Sequence, residues 1–187
     1  MVFIHDTRSA LQATVDLVNT DPATSSEGTD ALTTVAELDD FLRVHPYTGA
    51  IRHDDVEVDE MRAIRARLHA LWGVDREAAV PLVNAMLADG GALPRLVIHD
   101  DYDWHVHATS DEAPLATRIL VEAAMAFVDV IRSDEYGRVR VCDADDCASV
   151  YIDMSRNGSK RYCDTGNCGN RMNVIAYRKR QAERESA

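Results

Sequence analysis

Two short segments, Cys142-Asp-Ala-Asp-Asp-Cys147 and Cys163-Asp-Thr-Gly-Asn-Cys168, determine how the C-terminal part of the chain folds. Together they contain all 4 cysteines of the 187-residue chain. Two short-spaced pairs let a chain supply four thiolates to one tetrahedral zinc ion. A redox pair or unrelated core cysteines are the alternatives, but clustered thiols in a reducing compartment favour a metal. The spacing predicts one structural zinc held by Cys142, Cys147, Cys163 and Cys168, with no open position for catalysis.

The residues around these cysteines predict a small module that wraps the metal. Val150-Tyr151-Ile152 is typical of a strand, and residues 153–159 form a polar turn rich in Ser, Asn and Gly. A helix is expected from Cys168 to about residue 183, and its N-terminal N–H groups favour a thiolate at that position. Residues 138–187 are therefore expected to form a treble-clef or ribbon-like zinc module that ends in a helix.

The N-terminal part, residues 1–137, is predicted to be a helical domain with one β-hairpin. Apolar residues recur with helical spacing in five segments, and alternation with a tight turn predicts the hairpin. The helices are expected at residues 8–19, 30–44, 58–72, 75–88 and from Pro114 onward, with the hairpin at residues 94–108. The fold class is mainly α with a small β-hairpin (α+β).

Charge is distributed unevenly along the chain. The formal net charge is −12, of which residues 1–137 contribute −15 and residues 138–187 contribute +3. An acidic body repels nucleic acid, so an anionic partner is expected only at the C-terminal module. No membrane-spanning stretch and no secretory signal is visible, and we expect a cytoplasmic protein without a membrane partner.

The C-terminal motif resembles a known family. Residues 155–163 (Ser-Arg-Asn-Gly-Ser-Lys-Arg-Tyr-Cys) and Cys168-Gly-Asn-Arg171 are similar to the CGNR zinc-finger proteins of bacteria. Residues 16–20 (Asp-Leu-Val-Asn-Thr) and the helix–hairpin–helix order before the first cysteine resemble the ABATE domain that accompanies this finger. The resemblance implies a stress-response transcription regulator whose zinc finger binds DNA.

The resemblance also implies roles for single residues. The four cysteines carry over as zinc ligands, and Asn170 and Arg171 as motif residues. Asp153, Arg156 and Asn157 carry over as residues that organise the turn.

Candidate nucleic-acid contacts lie in the basic half of the module. Arg171 and Arg178 are seven residues apart, so they share a helix face on which phosphates can bind. The alternative is a solvated basic face in which Arg171 pairs with the module's own acids. The candidate contacts are Lys160, Arg161, Asn170, Arg171, Arg178, Lys179 and Arg180.

Other polar residues give weaker signals. His105 and His107 share a strand face at a spacing that binds metals, but no third ligand is evident. Asn19 and Thr20 end the first helix, where a polar helix terminus explains them as well as a ligand pocket does. No catalytic triad, phosphate loop or carboxylate pair stands out, so we do not expect an enzyme.

Two functions remain open at this point. In the first, the chain is a bacterial transcription regulator whose zinc finger contacts DNA while the N-terminal domain senses a signal or dimerises. In the second, the zinc is purely structural, and the N-terminal domain binds a small molecule or another protein in a pocket between its helices and hairpin.

Overall fold

The computed structural model describes residues 3–25, 27–99 and 102–185. It contains two short 3-10 turns, at Ala70–Trp72 and Tyr136–Arg138. In chain order the elements are α1 (His5–Val18), α2 (Val35–Val44), α3 (Asp55–His69), α4 (Arg76–Asp89), β1 (Arg95–His99), β2 (Tyr102–His107), α5 (Leu115–Arg132), β3 (Val139–Val141), β4 (Val150–Ile152) and α6 (Cys168–Glu185). The α+β class expected from the sequence is confirmed.

Helix α5 is the centre of the N-terminal domain. Alanines and branched residues on its buried side let α1, α3 and α4 pack closely against it. Pro114 is its N-cap residue, and the helix ends at Ser133. Phe127 is fully buried, with Trp72 edge-on at a ring-centroid distance of 5.5 Å. Pro81 lies inside α4 without ending it.

Helix α2 begins later than residue 30, where the apolar spacing placed its start. Thr34 is the N-cap, and its side chain accepts a hydrogen bond from the N–H of Glu37. The Glu37 carboxylate accepts one from the N–H of Thr34, which completes a capping box. Leu32 is fully buried but lies in the preceding loop, which is why its apolar character extended the predicted helix.

Buried charges fasten the loops of this domain. Arg65 of α3 is buried and donates to both carboxylate oxygens of Asp30 at 2.7 and 2.8 Å. That guanidinium holds the pKa of Asp30 far below its usual range. The buried Glu57 carboxylate accepts from the backbone N–H groups of Arg52 and His53, both at 3.0 Å. Arg118 similarly donates to backbone carbonyls in the loop before α3.

The hairpin predicted at residues 94–108 is present. Strands β1 and β2 are antiparallel, with Leu96 opposite Val106 and Val97 opposite His105. The ladder shifts register between Val97 and His99. The sequence pattern placed the connecting turn at residues 100–103. The structure instead places Tyr102 and Asp103 in β2, and residues 100 and 101 lie outside the described part of the chain. A second two-stranded sheet pairs β3 with β4, and the sequence predicted only β4 of this pair.

Strand β4 joins the C-terminal module to the N-terminal domain. Val150 and Ile152 are buried in the same hydrophobic core as α1, α3 and α5. Tyr151, between them, packs instead with the four cysteines in a separate cluster. One three-residue strand thus presents alternate side chains to two cores. No helix among the described residues is both long enough and apolar enough to cross a membrane.

Candidate metal centre and basic helix

The four cysteines come from three separate backbone segments. Cys142 directly follows β3, and a tight turn closed by the hydrogen bond from Cys147 N–H to Ala144 O (3.0 Å) supplies Cys147. Cys163 ends the long loop after β4, and Cys168 is the first residue of α6. The N–H of Asp143 donates to the carbonyl of Arg161 at 2.9 Å, which holds the first segment beside the second.

The sulfur atoms have the geometry of a zinc site. All four Sγ atoms lie within 4.8 Å of one another. Two of the separations, Cys147–Cys163 and Cys163–Cys168, are 3.7 Å. A tetrahedral ion with zinc–sulfur bonds of about 2.3 Å places its ligands about 3.8 Å apart, whereas a disulfide needs about 2.0 Å. The four thiols therefore fit one structural zinc, as the spacing predicted.

The surroundings of the sulfurs also suit bound thiolates. Burial raises the pKa of the Cys142 thiol, and it raises that of the Cys168 thiol to about 12. Thiolates at these positions consequently need a neighbouring positive charge of the kind that Zn²⁺ provides. Two donors assist: the N–H of Cys163 points to Cys142 Sγ at 3.4 Å, and the Arg171 guanidinium lies 3.3 Å from Cys168 Sγ.

A buried carboxylate shapes the loop between the cysteine pairs. Asp153 is fully buried, and its two oxygens accept hydrogen bonds from the N–H groups of Ser155 (2.9 Å) and Lys160 (2.7 Å). Burial opposes its ionisation, but these hydrogen bonds outweigh that effect and lower its pKa. Arg138 donates to the carbonyls of Asp153 and Ser155 at 2.9 and 2.7 Å. The loop that leads back to Cys163 is thereby fixed.

Comparison with known families agrees with this geometry. A model of the ABATE family, described as "Putative stress-induced transcription regulator", matches residues 11–134. The chain belongs to the ABATE family. A model of the CGNR zinc finger matches residues 138–181. The resemblance expected from the sequence is therefore confirmed, and the chain matches no curated protein.

The ABATE domain holds the CGNR zinc finger through Asn19, at the end of α1. Its side-chain amide donates to the carbonyl of Val150 and accepts from the N–H of Val150, both at 2.9 Å. Nearby, Ser149 Oγ donates to the carbonyl of Thr24 at 2.8 Å, and the Trp72 indole donates to the carbonyl of Tyr151 at 3.1 Å. All these groups are buried, so the two parts are fastened by satisfied polar contacts as well as by β4.

Sequence reasoning missed this role of Asn19. The polar end of α1 suggested only a helix terminus or a pocket. Asn19 and Val150 are 131 residues apart, and nothing in the local sequence connects them.

Three of the candidate nucleic-acid contacts are paired within the zinc finger itself. Lys160 forms an ion pair with Asp164, and Arg161 Nε lies 2.9 Å from Asp143. Arg171 lies 2.8 Å from Asp146 in addition to its contact with Cys168. Arg171 thus has the pairing that the alternative interpretation expected, and its cationic charge supports the metal site. Asn170 donates to the side chain of Asn167 at 2.8 Å at the start of α6.

The remaining basic residues lie further along α6. Arg178, Lys179 and Arg180 are exposed, and no carboxylate within the described ranges forms an ion pair with them. Only the first turn of α6 packs on the module, through Cys168 and the half-buried Met172. From Asn173 onward the described residues are exposed on all sides apart from Gln181. The helix therefore projects from the zinc site.

Two other candidates can be placed. The rings of His105 and His107 lie side by side, with their Nε2 atoms 3.2 Å apart. Within residues 3–25, 27–99 and 102–185 the only cluster of three or more metal-ligating side chains is that of the four cysteines.

A groove of about 280 Å³ lies between α1 and α2, where Asp16 contacts His45 at 2.8 Å above the apolar Leu32 and Phe41.

Proposed function

We propose that the chain is a DNA-binding transcription regulator rather than an enzyme, in which α6 of the zinc finger contacts DNA and the ABATE domain senses a signal or dimerises. The observation that carries this proposal is the projecting, basic α6 anchored at its N-terminus beside the four cysteines. The ABATE and CGNR family matches support the same function.

The isolation of α6 indicates that it needs a partner. It has 18 residues, or about 27 Å of helix, yet beyond Met172 it packs against no other described element. A helix exposed on all sides is only marginally stable in water. A helix of this size fits the major groove of DNA, where helices of many regulators bind.

The charges of α6 favour DNA as that partner. Arg178, Lys179, Arg180 and Arg184 outnumber the acidic Glu183 and Glu185 of the same segment. The acidic ABATE domain repels phosphates, so it restricts binding to the projecting helix. Asn173 and Tyr177 lie on the exposed helix between the zinc site and the cations. An asparagine side chain can form two hydrogen bonds to the edge of an adenine in the major groove.

The test is DNA affinity as a function of salt. The zinc-loaded full chain is titrated into fluorescent duplex DNA of randomised sequence, and anisotropy is recorded at several salt concentrations. The variant Arg178→Ala/Lys179→Ala/Arg180→Ala should bind more weakly, and the slope of log K against log salt should become shallower by about 2 to 3.

The matched control removes three exposed arginines from the ABATE domain: Arg43→Ala/Arg52→Ala/Arg67→Ala. It changes the net charge equally, so its salt slope should equal that of the wild type. Absence of binding by the wild-type protein at low salt, or equal binding by the α6 variant, would contradict the proposal.

The groove between α1 and α2 favours a second role for the ABATE domain, as a site for a small molecule. Its apolar floor lies beside the carboxylate of Asp16, which contacts His45, whereas Glu37 is engaged in the capping box and Asp40 pairs with Arg43. Such a lining suits an organic cation. Thermal unfolding would be measured with a panel of small amines and of uncharged metabolites. A stabilisation by amines that Asp16→Asn abolishes supports this role, and no shift with any compound counts against it.

A further inference from the structure

The hairpin β1–β2 presents an apolar face to solvent. Leu96 and Ile98 alternate along β1, and Trp104 and Val106 alternate along β2, so that all four point to the same side of the sheet. Their exposed fractions are 67%, 56%, 63% and 38%. The residues on the opposite side, such as Val97 and His105, are half-buried. We call the four exposed residues the outer face of the hairpin.

We propose that this outer face is the surface through which two copies of the chain form a dimer. The inference rests on the dimerising role proposed for the ABATE domain and makes no use of DNA binding. The four residues of the outer face would form the interface, and their partner would be the same face of a second copy of this chain.

The size of the face exceeds that of ordinary surface apolar residues. The four side chains leave roughly 400 Å² of apolar surface in water, which is the size of the largest apolar patch on a typical monomer, and such patches are often functional. Elsewhere on the domain, Val44 and Val56 are also exposed, but each stands alone on a helix. A two-stranded sheet is only marginally stable by itself, so a covering layer would stabilise the hairpin.

The chemistry of the face favours a second copy over a charged partner. None of its four residues carries a charge, and Arg95, at its edge, lies 3.5 Å from Asp111 of its own chain. Among the described side chains of this face, a nucleic acid or an acidic peptide would find no unpaired cation to bind. Another outer face would match it in size and polarity.

The buried area sets the strength of the dimer. Two such faces packed about a twofold axis, as sheets pack face to face, would bury roughly 800 Å² of apolar surface, which is less than stable interfaces bury and is the size of a weak, transient one. We therefore expect a dimer that dissociates on dilution.

The test measures the mass of the zinc-loaded full chain by sedimentation velocity over a wide range of concentration. Wild-type protein should approach twice the chain mass at high concentration. Leu96→Glu/Ile98→Glu should weaken association by at least about tenfold, because it places like charges opposite each other across the axis. The control Val44→Glu/Val56→Glu makes the same change of charge at exposed positions outside the hairpin and should dimerise as the wild type does.

Fluorescence gives a second readout that needs no charged variant. Of the 2 tryptophans, Trp72 is already buried and Trp104 is exposed. Raising the concentration should shift the emission of Trp104 to shorter wavelength and protect it from acrylamide, and Trp104→Phe should remove this change.

Three results would overturn the proposal: a monomeric wild type at every concentration, a hairpin variant that dimerises like its control, or a dimer in which Trp104 remains accessible. Since these measurements contain no DNA, failure of DNA binding leaves them unchanged.

Discussion

At the scale of single residues, Asn19 decides how the two parts of the chain fit together. Its amide satisfies both backbone groups of Val150 inside the protein, because an amide carries a donor nitrogen and an acceptor oxygen side by side. The sequence showed a polar residue at a helix end, for which solvent exposure is the usual expectation. A hydrogen bond between residues so far apart in the chain depends on tertiary packing, and it leaves no repeating pattern in the sequence by which it could be predicted.

Asn19→Ala should therefore destabilise the protein strongly. It leaves the buried N–H and carbonyl of Val150 without partners, at a cost of about 2 to 4 kcal/mol in unfolding free energy. Urea denaturation monitored by circular dichroism measures this change. Asn173→Ala, at an exposed position on α6, is the control and should stay within about 0.5 kcal/mol of wild type. Equal stability of the two variants would show that the Asn19 contacts are not formed in solution.

Glu122 gives the protein a pH dependence of its own. Burial raises the pKa of this carboxyl to about 7, although the Arg118 guanidinium opposes the shift. Because the folded pKa exceeds the unfolded value, the folded state holds a proton that the unfolded state releases. The contribution of Glu122 to stability is therefore full below about pH 4.5 and is lost as pH rises through 7.

Glu122→Gln should remove this dependence. The unfolding free energy of the variant minus that of wild type should rise by about 2 kcal/mol between pH 5 and pH 8. The low pKa of Asp30 keeps that group ionised throughout this range, so it cancels in the difference. Denaturant unfolding at several pH values provides the measurement, and a difference that is flat or falls with pH would refute the assignment.

At the scale of elements, the long helices were predictable and the short elements were not. Helices α1, α3 and α5 carry apolar residues with sustained helical spacing, which survives in the fold because each packs one face on a shared core. Strand β3 has three residues, Val139-Arg140-Val141, too few for an alternation to be distinguished from a loop. The start of α2 was misplaced because a buried loop residue, Leu32, continued the helical spacing.

Helix α6 differs from the other helices in how it is stabilised. Beyond Met172 it contributes no buried surface to the fold, so its role must be tested separately from the stability of the protein. Ala176→Pro should break the exposed part of the helix, since proline costs about 3 kcal/mol in a helix interior. The zinc content and the midpoint of thermal unfolding should hardly change, whereas DNA affinity should fall at least about tenfold.

Ala176→Ser is the matched control for this helix, because serine lowers helix propensity only slightly. Anisotropy with duplex DNA and a colorimetric zinc assay follow the two properties in parallel. A proline variant that binds DNA as the serine variant does would remove α6 from the interface. Loss of zinc in the proline variant would instead show that the outer helix supports the metal site.

At the scale of the whole molecule, the zinc finger and the ABATE domain share strand β4, whose side chains pack into both parts. The cysteine spacing, together with the expectation of a reducing compartment, predicted the metal site, because ligand geometry constrains the separation of the cysteines along the sequence. The attachment of the finger to the ABATE domain was not predictable. It depends on which side of β4 packs into each of the two hydrophobic cores, and the sequence of the strand does not show this. Val150 and Ile152 lie in one core and Tyr151 in the other, so the metal and the helical domain hold the same strand from opposite sides.

Removal of zinc should consequently weaken the ABATE domain as well as the finger. Without the ion, β4 loses the anchor that Tyr151 has on the cysteine cluster, and the contacts of Asn19 and Trp72 with that strand weaken. We expect a strong chelator to lower the midpoint of thermal unfolding of the whole chain and to raise amide exchange in α1 and α3. Cys163→Ser should do the same without chelator, since three thiolates bind zinc far more weakly than four.

Hydrogen exchange followed by mass spectrometry distinguishes this coupling from two independent units. In a coupled molecule, zinc removal increases exchange at the end of α1 and around Trp72 together with residues 139–168. In an uncoupled one, the increase is confined to the finger and α1 keeps its protection. The exposed α6 should exchange rapidly in both states, because it has no buried contacts to lose. Protection of α1 that is unchanged by the chelator would show that the ABATE core is stable without β4 held in place.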